Sequence, residues 1–563
     1  MLIKLLKTIV IIFLLFFQNS LYSKNKDSNY LSSKNLAEYL SAITSYDNGE
    51  NTKSLEFFDK SKLLIDEHNP YLKKYIFSLI TEGKINKAIK VLKSNLNKEN
   101  SNFFESYLLL TIDSIKNKDF KKSNIYLEKL SNFTSDNKFN LLIFESLKKY
   151  NYLFQNKKIL NEKSSFNNLL YISKAFENCY IGKQNESISA FQNLINNSDI
   201  DYTRYIFFYI NYLSQEKKFK KAKEVAFEIE DLNSSLLTFQ TKTLVNKGEF
   251  KKINKIFSCQ EELDVLSEFF FLVSNLYSGQ QNFNKSNFYL NISYFLNPKF
   301  KFNLSLMVEN YYLDGKYSKS KKVLSNYDIN DGIYHWYKIK KNTDIMSKEK
   351  NLNSSFIYLN SNFSNIKKPS TKIIFDMANL AKNFKKYEIA INYYNKVLKD
   401  IDPKSQIYAD VLYRRGASYE RIKEFEKSDI DLIESLKIDP DNAYVLNYLA
   451  YSWLERNYKI NEAIKMLERA YEIKSNDPFI LDSVGWAYYL TNDFKKAEEF
   501  LRSAIQLMPE DPVVNDHYAD ILWRLNRKIE ANYYWQSVLK FKDTEEKMKK
   551  DINNKILKGP NNT

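Results

Sequence analysis

Glycine and proline are scarce in this sequence. The 563 residues include 10 glycines and 9 prolines, whereas an average protein devotes roughly 12% of its residues to the two together. Collagen-like chains, β-sandwiches, propellers and most doubly wound α/β enzymes need glycine at turns and phosphate loops, so the shortage argues against these classes. Hydrophobic residues are plentiful at 44%, with 15% aromatic, which is enough to bury a large core. The fold class that remains is one of long helices joined by short polar turns.

The sequence motifs of common enzymes are missing. The chain has no glycine-rich phosphate loop, no GxSxG and no HExxH, the patterns that hold a phosphate, a nucleophilic serine or a zinc ion. The three histidines, His68, His335 and His517, are far apart along the chain. We therefore predict a non-enzymatic protein with no catalytic residues, no metal and no cofactor.

Cysteine is nearly absent as well. Cys179 and Cys259 are 80 positions apart, and two cysteines at this spacing match neither a disulfide framework nor a zinc motif. Two separate buried thiols are the favoured interpretation. A structural disulfide is the alternative, and the sequence does not determine the redox state.

The N-terminus is typical of an export signal. Lys4 and Lys7 precede ten apolar residues at 8–17 (TIVIIFLLFF), and polar residues follow. A membrane-spanning helix needs about 20 apolar residues. We predict a cleavable signal peptide over residues 1–23 and a periplasmic mature chain, with an uncleaved membrane anchor as the alternative. No cysteine lies near the signal, so we expect no lipoprotein anchor.

Positive charge is concentrated in the first 400 residues. The formal net charge is +16, but residues 401–540 contain 19 Lys/Arg and 24 Asp/Glu, whereas residues 1–400 contain 59 and 40. Lysine-rich stretches such as 217–224 (KKFKKAKE) and 248–257 (GEFKKINKIF) are typical of solvated helix faces. Acidic partners such as anionic lipid are the alternative, and an exported protein rarely meets nucleic acid.

A repeat of about 34 residues organises the chain. Each unit has a small or apolar residue followed four places later by an apolar one, which puts both on one helix face. The first of each pair stands at Ser54, Ala88, Ser123, Ser187, Ala222, Ile253, Ser286, Ser320, Ser355, Ala390, Ser428, Ala463, Ala497 and Ala531. Their partners are Phe58, Leu92, Leu127, Phe191, Ala226, Phe257, Leu290, Leu324, Leu359, Tyr394, Leu432, Leu467, Leu501 and Trp535.

Each unit is predicted to be a helical hairpin. In several units a turn residue precedes the second helix: Gly49, Gly83, Gly248, Gly315 and Asn492. The small residue lets the paired helices approach, and the large residue fills the space against the neighbouring unit. One hairpin cannot bury both faces, so the units must stack. The 64-residue step from Ser123 to Ser187 indicates an eroded unit, and erosion at 131–180 and 325–370 could break the stack.

The unit beginning at Pro478 contains Gly485, Tyr488, Ala497, Leu501, Ala504 and Pro509 at places 8, 11, 20, 24, 27 and 32, and it resembles the tetratricopeptide repeat. The resemblance implies an all-α, right-handed superhelical solenoid of about 14 to 15 hairpins. The matches are strong over residues 371–540, divergent and basic over 24–370, and followed by a charged cap helix and tail at 541–563.

Residues 443–540 carry a narrower resemblance. Strings such as VLNYLAYSWLERN and FILDSVGWAYYLTNDFKKAEEFLRSAIQLMPEDP are similar to the C-terminal repeats of exported bacterial tetratricopeptide proteins, including LbcA-type adaptor lipoproteins. In those relatives the solenoid is a docking scaffold for a carboxyl-terminal processing protease and its cell-wall hydrolase substrates. The present chain lacks their lipobox cysteine.

The repeat resemblance also implies a concave groove for protein partners. Carried over place by place, the predicted groove residues are Tyr413, Asn447, Tyr451, Asp482, Trp486, Tyr489, Asp516, Asp520, Trp523 and Arg524. Aromatic anchors beside charged groups suit a peptide or partner helix. For Trp486 and Trp523, packing between units is an equal alternative. A cation site or general base at Asp516, His517 and Asp520 is the alternative to a polar groove.

The sequence thus predicts a periplasmic scaffold that binds a protease, a cell-wall hydrolase or an envelope assembly component, with peripheral membrane association as an option. The alternative is a structural component of an outer-membrane export or envelope biogenesis machine. The sequence does not identify the partner, the oligomeric state or the fate of the signal segment.

Overall fold

The computed structural model describes residues 32–96, 98–135, 137–161, 167–196 and 203–560. In this part of the chain the secondary structure is helical, with turns between the helices and no strand. The predicted signal segment at 1–23 lies outside the described residues. Among the residues that are described, no helix combines the length and the apolar character that crossing a bilayer requires.

The chain divides into two compact units, and residues 1–230 with 234–338 form the first. Short 3₁₀ turns lie at Lys62–Leu64, Glu99–Ser101 and Ile329–Asp331. Its α-helices are α1 (Ser33–Asp47), α2 (Asn51–Lys60), α3 (Pro70–Thr81), α4 (Ile85–Ser94), α5 (Phe104–Lys116), α6 (Phe120–Ser131), α7 (Lys138–Asn156), α8 (Asn167–Tyr180), α9 (Gln184–Ile195), α10 (Arg204–Gln215), α11 (Phe219–Phe227), α12 (Leu236–Asn246), α13 (Phe250–Ile256), α14 (Glu262–Gly279), α15 (Phe283–Leu296), α16 (Asn303–Leu313) and α17 (Tyr317–Leu324).

The second unit comprises residues 231–233 and 339–563, and the division falls inside α18. Its helices are α18 (Ile333–Glu349, shared with the first unit), α19 (Leu352–Ser364), α20 (Thr371–Asn383), α21 (Tyr387–Asp400), α22 (Gln406–Arg421), α23 (Phe425–Ile438), α24 (Ala443–Glu455), α25 (Ile460–Ile473), α26 (Pro478–Leu490), α27 (Phe494–Leu507), α28 (Pro512–Arg524), α29 (Lys528–Lys540) and α30 (Glu546–Lys558).

Helical hairpins stack in sequence order in both units. The hairpins α20–α21, α22–α23, α24–α25, α26–α27 and α28–α29 each pack internally, and each second helix contacts the first helix of the next hairpin. The predicted all-α solenoid of helical hairpins is therefore confirmed, whereas the number of 14 to 15 hairpins stays a prediction.

The small and large residues of the repeat form the contacts that the sequence predicts. All fourteen first members and all fourteen partners are buried in the second helices, from Ser54 and Phe58 to Ala531 and Trp535. Several hydroxyls among the small residues have local partners, as where Ser54 Oγ donates to the carbonyl oxygen of Ala42 in the paired helix (3.0 Å). This stripe of close-packed residues holds the two helices of each hairpin together.

The turns inside the hairpins are left-handed. The residues predicted to mark the turns, Gly49, Gly83, Gly248, Gly315 and Asn492, all have positive φ. The same backbone conformation occurs at ordinary residues in other hairpins: Lys118, Lys217, Gln281, Lys385, Lys423 and Asn526. The turn geometry is thus common to the repeats, although the sequence marks it in only some of them.

Helix α7 is the irregular element of the first unit. It is a single helix of 19 residues, where the repeat would place a hairpin. It contacts α6, and it also contacts α14, more than 100 residues further along the chain. Phe139 stacks on Tyr277 with ring centroids 4.5 Å apart. The predicted eroded unit is therefore a lone helix in the described residues.

The hairpin α14–α15 packs against the N-terminal helices α3, α4 and α5 as well as α7. Phe77 of α3 stacks on Phe288 of α15 (4.8 Å), and Asn291 Nδ2 donates to the carbonyl oxygen of Thr81 (3.2 Å). Lys319 of α17 pairs with Glu82 (3.5 Å). The first helices of the N-terminal hairpins are thus covered by a later hairpin of the same unit.

The interpretation of Cys179 and Cys259 as separate thiols was wrong. The two cysteines form a disulfide, with Cα atoms 6.0 Å apart, and both are buried. It joins the end of α8 to the turn between α13 and α14. Stacking brings hairpins together that are distant in sequence, which the spacing of 80 residues does not reveal.

Candidate protein-binding groove

The exposed part of the candidate groove lies on helix α24. Asn442 caps the N-terminus of the helix, and its side-chain Oδ1 accepts a hydrogen bond from the backbone N–H of Val445 (3.3 Å). Tyr444, Asn447 and Tyr451 follow at spacings of three and four and share one face. Tyr444 is 46% exposed, and Oδ1 of Asn447 is buried without a hydrogen-bond partner in the described structure. Asn447 therefore shares one face of α24 with two tyrosines.

Helix α22 continues this surface. The ring of Tyr413 meets Tyr448 of α24 edge to face, with centroids 5.8 Å apart. Tyr448 Oη donates to Glu420 (2.9 Å), and Arg421 Nε lies 3.4 Å from the same carboxylate. Burial raises the pKa of Tyr413 above its usual value. Neighbouring first helices are thus fixed side by side while Arg421 stays exposed.

A row of exposed apolar side chains borders the groove. Tyr444, Phe479 and Val513 each occupy the second position of three successive first helices, α24, α26 and α28. Phe479 is 57% exposed and Val513 43%. Asp477 and Asp511 cap α26 and α28, with a proline at the first helical position of each, which fixes where these helices begin. The repeat therefore presents the row at a regular spacing.

Beyond Phe479 the groove is filled by the chain's own side chains. Trp486 lies between Tyr489 (4.6 Å between centroids) and His517 (4.1 Å), with its ring parallel to both. Its Nε1 donates to Glu455 (3.0 Å). His517 Nδ1 donates to Asp482 (2.9 Å) across adjacent first helices. These contacts join α24, α26 and α28.

Helix α30 and the residue that follows it cover the groove face of α28. Lys555 Nζ donates to Asp516 and to Asp520, at 2.8 Å in each case. Trp535 Nε1 also donates to Asp516 (3.0 Å). A Cβ on Gly559 would lie 2.5 Å from the indole of Trp523, so backbone covers that ring. The cap thereby neutralises a pair of carboxylates that would otherwise face solvent.

Burial governs the charge of this cluster. Burial and the neighbouring Asp516 raise the pKa of Asp520 to about 6, although Lys555 opposes the shift. Burial alone would lower the pKa of His517, but Asp482, Asp516 and Asp520 outweigh it and raise the pKa above its usual value. In the described residues no three His, Cys, Asp or Glu side chains are placed to hold a metal ion.

The ten predicted groove residues differ in burial in the structure. Asp482, Tyr489 and Asp520, predicted on the groove surface, are buried, because His517, Arg524 and Lys555 cover them. The half-buried residues are Tyr413, Asn447, Tyr451, Trp486, Asp516, Trp523 and Arg524. Trp486 and Trp523 pack between elements, and binding at the others stays a prediction.

Sequence reasoning missed the part played by Lys555. The repeat period could have revealed it, since α30 begins at Glu546, 34 residues after Pro512 begins α28. That spacing makes α30 the first helix of an incomplete hairpin, which must pack on α28 and α29.

The match to a protein-family model agrees with this geometry. The model of the tetratricopeptide repeat matches residues 409–442 and 481–511, which cover α22–α23 and most of α26–α27. The chain contains tetratricopeptide repeats. Such repeats generally form non-catalytic adaptors that bind protein partners, and this is the function that the match supports.

Known proteins that resemble the chain do so over part of its length. A tetratricopeptide repeat-containing protein of Pseudomonas aeruginosa is 34% identical over 104 residues, 18% of each chain. Anaphase-promoting complex subunit 3 of Schizosaccharomyces pombe is 26% identical over 109 residues, 19% of this chain and 15% of that protein. The chain therefore matches less than a fifth of the length of either curated relative.

Two solved tetratricopeptide structures show a partial likeness. A protein of Thermus thermophilus is 16% identical, with a TM-score of 0.30 over 33% of this chain and 100% of that one. PilF of Pseudomonas aeruginosa is 19% identical, with a TM-score of 0.28 over 32% of this chain and 79% of that one.

Proposed function

We propose that this chain is an exported, non-catalytic scaffold that binds a segment of a partner protein through the exposed groove of α22, α24 and α26. The observation that carries the proposal is the pair of rings of Tyr444 and Phe479, which stay 46% and 57% exposed at the second positions of two successive first helices. Rigid aromatic side chains that remain exposed at a regular spacing are typical anchors for a partner. Asn447 lies on the same face of α24 as Tyr444.

The other first helices offer less room for a partner. In the first unit, α3, α5 and α7 are covered by the hairpin α14–α15. In the second unit, Lys555, Gly559 and His517 fill the groove on α26 and α28. The stretch from Tyr413 to Phe479 leaves the rings of Tyr444 and Phe479 exposed.

The chemistry of this stretch suits a peptide segment. The exposed rings of Tyr444 and Phe479 supply rigid contact area for the side chains of the partner. Glu420 and Arg421 at one end add opposite charges that fix the orientation of the partner. A carboxyl-terminal processing protease or a cell-wall hydrolase, as implied by the LbcA-type resemblance, is the proposed class of partner.

Export is supported by the disulfide. Cys179 and Cys259 are bonded in the structure, and structural disulfides persist in oxidising compartments such as the periplasm and are rare in the cytosol. The apolar run at residues 8–17 supplies the corresponding signal.

Site-specific photocrosslinking in cells tests the groove. A photoreactive phenylalanine replaces Tyr444 or Phe479, and mass spectrometry identifies the crosslinked proteins. Tyr533, 68% exposed on α29, is the matched control outside the groove. We expect one envelope protein to be crosslinked from both groove positions and not from Tyr533, and Asn447→Ala to reduce that crosslink.

Equal crosslinking from Tyr533 and from the groove would overturn the groove assignment. Crosslinks to outer-membrane export components alone would replace the adaptor proposal with the assembly function. Fractionation of the same cells tests the location, because a cytosolic protein would contradict export.

A further inference from the structure

Lysines cluster at two successive hairpin turns of the first unit. Residues 216–223 span the turn between α10 and α11, and residues 247–254 span the turn between α12 and α13. Together they contain eight lysines and two glutamates. Six of the lysines are exposed: Lys217, Lys220, Lys223, Lys247, Lys251 and Lys252. One of the two carboxylates, Glu249, is paired with Lys252 (2.9 Å). The two turns therefore carry an excess of positive charge.

This excess is specific to a part of the chain. The corresponding residues of the last four hairpins contain seven basic and seven acidic side chains: 422–429, 457–464, 491–498 and 525–532. Among all fourteen turns counted in this way, 216–223 has the largest excess, with five lysines and one glutamate. A lysine-rich composition by itself would raise the charge of every turn. The cluster thus belongs to a particular surface.

Packing between the hairpins brings the two turns together. Phe219 is the first residue of α11 and Phe250 the first residue of α13, and their ring centroids lie 4.5 Å apart. Lys220 and Lys251 directly follow these rings, and both are exposed. The lysines of the two turns therefore form one continuous patch, which we call the lysine surface.

Exposed phenylalanines accompany the lysines. Phe219, Lys223 and Phe227 follow one another at four residues along α11, which places them on one side of the helix. Phe219 is 41% exposed, and Phe227, at 84%, is the most exposed phenylalanine of the described residues. Glu224 and Glu228 are exposed on the same helix, so the positive charge of α11 is concentrated towards its start.

Lysines beside exposed rings suit an anionic bilayer. Clustered lysines are attracted to the negative surface potential of anionic headgroups. Phenylalanine side chains insert at the boundary between headgroups and acyl chains. An acidic polymer would also attract the lysines, but it offers no apolar layer and would leave Phe227 in water. The combination of charge and exposed rings therefore favours phospholipid as the partner.

We propose that the lysine surface docks the chain on a bilayer containing anionic phospholipid, with Lys220, Lys223 and Lys251 facing the headgroups and Phe227 entering the interface. The docking is peripheral, since the contact consists of exposed side chains of short helices. It goes beyond the protein-binding groove and does not depend on it, because all of these residues belong to the first unit.

Co-sedimentation of residues 24–563 with vesicles tests the proposal. This chain contains every described helix and lacks the predicted signal, whose apolar run would bind lipid by itself. We expect binding to phosphatidylcholine vesicles with about 30% phosphatidylglycerol, little binding to pure phosphatidylcholine, and release as the salt concentration rises. Lys220→Gln/Lys223→Gln and Phe227→Ser should each weaken binding about tenfold or more.

The matched control is Lys465→Gln/Lys495→Gln, which removes the same charge from exposed positions of α25 and α27 and should bind like the parent. Equal loss of binding in this control, or equal binding to both kinds of vesicle, would overturn the proposal. Tight binding of polyglutamate that Phe227→Ser leaves unchanged would also overturn it and assign the lysine surface to an acidic polymer. Circular dichroism of every variant excludes misfolding as the cause.

Discussion

At the scale of single residues, the helical glycine Gly485 is required by packing. A Cβ on Gly485 would lie 2.6 Å from Leu501 Cγ and 3.2 Å from the carbonyl oxygen of Ala497. Alanine has the better helix propensity by about 1 kcal/mol, but overpacking costs about 1–3 kcal/mol. We expect Gly485→Ala to lower the free energy of unfolding by up to about 2 kcal/mol in chemical denaturation.

Gly279 is the matched control. It is the last residue of α14, and a Cβ there would have no heavy atom within 4 Å. Gly279→Ala should therefore raise the free energy of unfolding, by up to about 1 kcal/mol. Destabilisation by both substitutions would show that close approach at Gly485 is not the cause.

The buried carboxyl of Asp520 should make stability depend on pH. Its pKa is raised to about 6 by burial, above the unfolded value of about 3.9. The folded state therefore holds this proton more tightly, so the contribution to stability is present below about pH 4 and is lost as the pH rises through 6. Asp520→Asn removes this loss, worth on the order of 3 kcal/mol.

The measurement compares the unfolding free energy of parent and Asp520→Asn between pH 4 and 7.5. The difference should grow in favour of the variant as the pH rises and level off above about 6. Asp441→Asn, at an exposed carboxylate of the same unit, should show no such trend. A difference that stays constant with pH would contradict the assigned titration.

Sequence could place these residues on a helix but not determine their exposure. Asp482 and Asp520 occupy groove places of the repeat, yet both are buried. His517 comes from the next first helix and Lys555 from the terminal cap. Burial of a polar side chain thus depends on the identity of a partner a whole repeat away, which the pattern within one repeat does not contain.

At the scale of elements, the left-handed turn inside a hairpin offers a position where glycine should stabilise the chain. Lys423 connects α22 to α23 with a φ of 65°, a left-handed conformation that costs a residue with a side chain about 1–2 kcal/mol. Glycine relieves this cost but loses more entropy on folding. We expect Lys423→Gly to stabilise the chain by about 0.5–1 kcal/mol in thermal or denaturant unfolding.

Lys427 provides the comparison within the same hairpin. It lies in α23, where φ is helical, and its side chain is 57% exposed. Lys427→Gly should destabilise by about 1 kcal/mol, because glycine is a poor helix former. The two lysines, four residues apart, should respond with opposite signs.

The hairpins could be predicted because their determinants are local. A small residue and a large one four places later suffice to identify each second helix, from Ser54 to Ala531. The lone helix α7 could be detected only as a missing match. Its packing against α14 joins residues such as Phe139 and Tyr277, and a repeat pattern describes neighbours in sequence rather than such distant contacts.

At the scale of the whole molecule, two compact units imply that a constraint in one need not stabilise the other. Stability in stacked repeats is roughly a sum of nearest-neighbour terms, so a local perturbation stays local. The contacts of α14–α15 with α3, α4, α5 and α7 make the first unit an exception, because they add long-range terms.

The disulfide should therefore stabilise the first unit selectively. Cys179 and Cys259 close a loop of 80 residues within that unit, and cross-links of this kind contribute about 2–4 kcal/mol. We expect Cys179→Ala/Cys259→Ala to lower the unfolding transition of the first unit and to leave that of the second unit in place. Tryptophan fluorescence in a Trp336→Phe background reports the second unit, which contains Trp453, Trp486, Trp523 and Trp535, while calorimetry reports both units. Equal shifts of both transitions would show that the two units unfold together.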